Sequence, residues 1–130
     1  MASSTTNLDI SLIAASQNNK EVTANTAIDT LDAALCGNQA IALTDADYTW
    51  SQASFLAALV TKFSGSITAN RNVNVPTGVA KMFAVRNNTT SSPASALVFK
   101  TGSGIATVTI SDSNPHLLYS DGVGTVIQFS

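Results

Sequence analysis

The sequence predicts a mainly β protein with one amphipathic α-helix near its N-terminus, the strands forming an antiparallel β-sandwich or small barrel. Three observations carry that expectation. One segment, Lys20–Leu35, repeats apolar residues three and four apart, the period of a helix with a single buried stripe. Beyond residue 60, short β-branched runs are divided by Gly, Pro and Asn at even spacing, the texture of an all-β domain. The length of 130 residues suffices for one core, because a globule of this size buries roughly two-thirds of the surface its unfolded chain exposes. The chain accordingly divides into an arm over residues 1–19, the helix over 20–37 and a sandwich or barrel domain over 38–130.

Residues 1–9 are small and polar, as in an arm that gains order against a partner. Leu8-Asp9-Ile10-Ser11-Leu12 alternates apolar and polar side chains, which predicts an added edge strand. In the helix, Val22, Ala24, Ile28, Leu31 and Leu35 read as one apolar face suited to an oligomer contact, and Thr23, Thr26, Asp29, Thr30 and Asp32 as the solvated face. Asn18 stands three residues before Glu21 at capping-box spacing, and Gly37 provides the stop. Thr49 and Gln52 repeat that spacing ahead of Ala53–Leu59, which predicts a short helical turn, with a strand beginning at Phe55 as the competing reading.

Strands are expected over 61–68, 71–75, 81–87, 96–101, 105–110, 115–120 and 124–129. Turns separate them at Pro76-Thr77-Gly78, Asn88–Pro93, Gly102-Ser103-Gly104, Asp112–Asn114 and Asp121-Gly122.

Charged residues make up only 11% of the chain against roughly 25% in an ordinary soluble domain, which suits a subunit built into an assembly. The net charge of -2 and the scatter of the six Lys and Arg residues argue against a nucleic-acid partner, since phosphate binding needs clustered cations. No apolar run approaches 18 residues, so membrane insertion is not expected. The opening MASSTTNLD lacks the basic and apolar regions of a signal peptide, which predicts synthesis in a cytoplasm. Cys36 is the only cysteine; it reads as a small apolar residue at the helix end, or alternatively as half of a disulfide to a neighbouring subunit.

Groups able to do chemistry are few. His116 is the single histidine, at a strand start, and reads as structural or solvent-facing. Asp45 and Asp47 suggest a capped turn, because the Gly and Glu of a calcium loop are missing. Gly102-Ser103-Gly104 lacks the Lys-Ser/Thr ending of a phosphate loop and reads as a hairpin turn. Asn87 and Asn88 match glycosylation acceptors only formally. Tyr48, Trp50 and Phe55 form the densest aromatic group, read as a core or interface plug, or, if exposed together, as a surface for a ligand or partner. No enzyme activity, cofactor or metal is implied.

The segment LIAASQNNKEVTANTAIDTLD, residues 12–32, resembles a segment of phage tail and fibre-associated structural proteins, in which a Gln-rich turn precedes a Lys-(Glu/His)-Val-Thr-x-Asn-x-Ala-x-x-x-Leu-Asp helix. Lys20, Val22, Thr23, Asn25, Ala27, Leu31 and Asp32 fit it. Gly65-Ser66-Ile67-Thr68-Ala69-Asn70-Arg71-Asn72-Val73-Asn74-Val75-Pro76, followed by Phe83–Thr89 and Tyr119-Ser120-Asp121-Gly122, is similar to a β unit of phage tail, fibre and decoration proteins. The resemblance implies a homotrimeric β domain located in a virion, in contact with other capsid or tail proteins, and no catalytic residue. One domain with a short arm has an anchor and a knob but no shaft, which favours a capsid decoration or head-fibre protein; the alternative is a tail-fibre or baseplate component that binds host glycan or another tail protein.

Overall fold

A computed structural model describes residues 4–8, 10–12, 20–91 and 95–129. Asn18, the expected helix cap, lies outside these. The helix α1 (Lys20–Cys36) forms where the periodicity places it. It stops at Gly37, whose N–H donates to Ala33 O at 2.7 Å, and where a Cβ would sit 2.6 Å from that same oxygen.

The strands are β1 (Asn38–Ala42), β2 (Tyr48–Thr49), β3 (Val60–Ser64), β4 (Ser66–Ile67), β5 (Arg71–Val75), β6 (Lys81–Asn87), β7 (Thr90–Ser91), β8 (Leu97–Thr101), β9 (Val108–Ile110), β10 (Pro115–Ser120) and β11 (Val126–Gln128), with helix α2 (Gln52–Leu56) between β2 and β3. They build a five-stranded sheet in the order β1-β3-β6-β10-β11, a four-stranded sheet β2-β5-β8-β9 and a small pair β4-β7. The protein is therefore mainly β with one long helix near its N-terminus.

Two expectations fail. The sheets are mixed rather than antiparallel: β1-β3, β3-β6, β2-β5, β5-β8 and β4-β7 are parallel, while β6-β10, β10-β11 and β8-β9 are antiparallel. Neither large sheet closes, since β1 and β11 end one and β2 and β9 the other, so there is no barrel. The reason lies in the connections. Parallel neighbours need a crossover, and here each crossover runs through the other sheet, as when β3 leads by way of β5 to β6. A turn such as Pro76-Thr77-Gly78 thus changes sheets instead of closing a hairpin. Only the turns after β8 and β10 join neighbours within one sheet.

Smaller corrections have local causes. The strand expected over 61–68 breaks at Gly65, which adopts φ +112°; a side chain there would overlap the Leu43 carbonyl oxygen. The expected turn at 88–93 holds β7, paired with β4. At 8–12 no strand forms among the described residues; Ser4 and Ser11 make a single antiparallel bridge, closed by Thr5 N–H to Ile10 O at 2.9 Å. Helix α2 is capped by Ser51 rather than Thr49, the Ser51 hydroxyl accepting from Ser54 N–H.

Both large sheets feed one core. Trp50, Phe55, Phe63, Phe83 and Phe99 meet edge-on or tilted at centroid distances from 5.0 to 6.4 Å, an arrangement worth about 0.5–1.5 kcal/mol per pair beyond area burial. Strict alternation in β6 and β8 puts Phe83, Val85, Leu97 and Phe99 inside.

Candidate functional site

The outward residues of the two sheets differ in character. On the five-stranded sheet, cross-strand partners set Val60, Ala84, Leu117 and Phe129 in one row and Met82, Tyr119 and Ile127 in the next. A third row carries Ala40, Lys62, Arg86 and Pro115. On the four-stranded sheet the outward rows are Thr49-Asn74-Lys100 and Asn72-Val98-Thr109. One outer face is thus largely apolar and the other largely polar.

Helix α1 adds a second apolar surface. Leu31 is 58% exposed and Leu35 is 52% exposed, with Ala24 and Ile28 half-buried beside them. Successive spacings of four, three and four place these four on one stripe. Val22 does not belong to it. Nine residues from Leu31 at about 100° per residue set Val22 half a turn away, so the expected five-residue face reduces to four. Thr30 and Ala33, also opposite the stripe, line an apolar groove of about 400 Å³ with Ala53 and Leu56 of α2 and Ala57 just past it.

Asp32 overturns its assignment to the solvated face. It is buried and receives Asn7 N–H (3.1 Å), Asn7 Nδ2 (2.7 Å) and Leu8 N–H (2.8 Å), which clip the arm onto the helix. Burial raises its pKa, but the donors of Asn7 and Leu8 outweigh that and hold it below the ordinary carboxylate value. Nothing in the sequence marks this pairing, because its partners are 24 and 25 residues away and two of the three donors are backbone groups.

The aromatics resolve toward the core reading. Trp50 is 2% exposed and Phe55 fully buried, and Tyr48 packs half-buried against Phe63, so they offer no stacking platform. The Trp50 indole donates to Ser54 Oγ at 3.2 Å, and Ser54 is in turn bonded to Gln39. Above this plug a groove of about 550 Å³ mixes polar residues, Thr49, Gln52, Asn74, Thr77 and Lys100, with apolar Trp50, Val75 and Pro76.

Asp45 and Asp47 are clamps rather than ligands. Asp45 accepts from Thr68 Oγ1 (2.6 Å), Thr68 N–H (2.9 Å) and Arg71 Nη2 (2.8 Å). The Thr68 hydroxyl and N–H, then the Arg71 guanidinium, lower its pKa to about 2. Asp47 accepts from Asn72 N–H at 2.9 Å. His116 bridges Asp112 (2.7 Å) and Gln128 (2.9 Å) at the start of β10. Gly102–Gly104 closes the β8–β9 hairpin, and Cys36 is a free, half-buried thiol. Lys81, which the sequence did not single out, donates to the carbonyls of Phe55 and Ala58 at the C-terminal end of α2, over the Phe55 ring; burial lowers its pKa. Among the described residues no group of three His, Cys, Asp or Glu could hold a metal ion, and no helix is long and apolar enough to cross a membrane.

No family model, curated protein or solved structure matches the chain.

Proposed function

We propose that this chain is a non-enzymatic structural component of a bacteriophage particle, a homotrimeric capsid decoration or head-fibre protein that stabilises or adorns the capsid. The observation that carries the reading is the uncovered stripe of α1, Ala24-Ile28-Leu31-Leu35, which lies outside the aromatic core. Exposed leucines at helical spacing on a sparsely charged protein are the mark of a subunit contact. The two large sheets are read as a sandwich, since both bury their inward rows in the same core. The phage context derives from the resemblance of residues 12–32 and 65–89. Light scattering should give a trimer mass of about 40 kDa, three copies of 13.4 kDa. A stable monomer at micromolar concentration sinks the trimer reading. Label at the carboxyl terminus, located on virions by microscopy, should lie on the capsid.

The groove above Trp50 supports the alternative, a tail-fibre or baseplate component that binds host glycan. Hydroxyls and amides from Thr49, Gln52, Asn74 and Thr77 converge there. Retention on a glycan array, lost on Asn74→Ala, would favour this reading over decoration.

A further inference from the structure

We infer that the groove above Trp50 binds an acidic saccharide, with Lys100 taking its carboxylate. The inference rests on the glycan-binding reading of this groove and names the class of sugar, whether a particle carries the chain on its head or its tail.

The groove is assembled from separate stretches of chain. Thr49 of β2, Asn74 of β5 and Lys100 of β8 are cross-strand partners on the outer side of the four-stranded sheet. Neighbouring strands lie about 4.8 Å apart, so the three side chains form a row roughly 10 Å long, the scale of a short saccharide. Gln52 at the start of α2 and the turns at Pro76-Thr77 and Gly102 complete the lining.

Its walls are fixed before any ligand arrives. Thr101 is buried, and its hydroxyl is shared between the carbonyl oxygens of Val75 (3.0 Å) and Pro76 (3.2 Å). Gly78 N–H donates to Gly122 O at 2.9 Å, which ties the turn after β5 to the loop after β10. Gly102, at φ +51°, packs so close to the Val123 carbonyl oxygen that a Cβ would sit 1.9 Å from it. A ligand entering here does not have to order these loops, a cost that otherwise weakens binding.

The side chains around the groove are uncommitted, unlike their counterparts elsewhere. Asn70 accepts from Ala96 N–H, Asn87 donates to Ile110 O, Gln39 bonds Ser54, and Arg71 is paired with Asp45. Among the described residues, by contrast, Thr49, Gln52, Asn74 and Thr77 have no side-chain hydrogen bond within the chain, and Lys100 has no ion pair. No carboxylate lines the groove.

These groups select a ligand. Amides and hydroxyls each offer both a donor and an acceptor, as sugar hydroxyls do. A saccharide carries such a group on nearly every ring carbon, whereas an acidic peptide would leave most of the row unmatched. Half-exposed Pro76, over buried Val75, supplies an apolar strip for the C–H face of a ring. One ammonium with no acidic neighbour suits one carboxylate, through a charge-assisted hydrogen bond. Sulfate or phosphate groups in number would call for clustered cations, which the groove lacks.

The test places the full chain, detected through a carboxyl-terminal tag, on an array of sialylated, uronic-acid, sulfated and neutral glycans, with immobilised polyglutamate alongside. Binding should be confined to carboxylated glycans. A bound oligosaccharide should lose roughly tenfold in affinity, or more, when its carboxyl groups are reduced to alcohols. Lys100→Gln should cause the same loss and Asn74→Ala a smaller one, while Lys62→Gln, which removes a cation from the other sheet, should bind as the parent does. Thermal melts check that each variant is folded. Neutral glycans held as well as acidic ones, with no loss on Lys100→Gln, overturn the acidic assignment and leave the glycan reading standing. Sulfated glycans or polyglutamate held more tightly than any carboxylated glycan overturn it as well. A blank array overturns both. Reducing the ligand tests the charge without touching the protein, so the result stays readable if a variant fails to fold.

Discussion

At the scale of single residues, the carboxylates of this chain do structural work that its charge count conceals. Asp45 ties residues 68 and 71 to the loop before β2. Its pKa, lowered to about 2 from 3.8, has a definite consequence for acid stability. A depressed folded-state value means the contribution is full above the unfolded value, near pH 3.8, and is lost as the pH falls toward 2. Asp45→Asn should lower the melting temperature at pH 7, and the difference from the parent should shrink as the pH is taken below that window. In the core, Phe83 touches Trp50, Phe55 and Phe99. Phe83→Ala should cost about 3–5 kcal/mol in denaturant unfolding, because the four remaining rings cannot collapse into its place without losing their edge contacts. The aromatic group around Trp50 was legible in the sequence as a core plug. That Ser54 and Gln39 would satisfy its indole was not, since Gln39 comes from a strand with no strong β signature.

At the scale of elements, legibility followed alternation. Strands β5, β6 and β10 match the ranges expected from sequence, and in β6 each inward Phe, Val and Asn is separated by an outward residue. Strand β1, Asn-Gln-Ala-Ile-Ala, has one β-branched residue, and β2 is two residues long, so neither carries a pattern to read. Helix α1 was legible in extent but not in how it packs. Its solvated face was expected to include Asp32, yet that carboxylate anchors the arm. Asp32→Ala should free residues 4–12 from α1, seen as faster proteolytic trimming of the N-terminus with little change in the unfolding of the β domain. Backbone strain gives the converse case at Gly65. Gly65→Ala should destabilise by roughly 1–3 kcal/mol, since it requires a left-handed residue with a Cβ against the Leu43 carbonyl.

At the scale of the whole molecule, the exposed apolar surfaces were half visible. The leucine stripe of α1 follows from periodicity, but the apolar outer face of the five-stranded sheet depends on register. Met82, Tyr119 and Ile127 come from three segments whose adjacency only the pairing of β6, β10 and β11 creates. Chain order likewise could not disclose parallel pairing, because a turn that changes sheets and a turn that closes a hairpin use the same Gly, Pro and Asp residues.

The shuttling of the chain between sheets also bears on how the protein is made. Neither sheet can be completed from one contiguous stretch: the five-stranded sheet draws on residues 38 to 128, and the four-stranded sheet on residues 48 to 110. Most pairings therefore close long loops, the circumstance in which folding slows to roughly milliseconds or longer. On a ribosome, an emerging chain would hold its first strands unpaired until the later ones arrived. Once formed, the same interleaving ties early and late strands into a single unit, so that a nick within any crossover would loosen both sheets together.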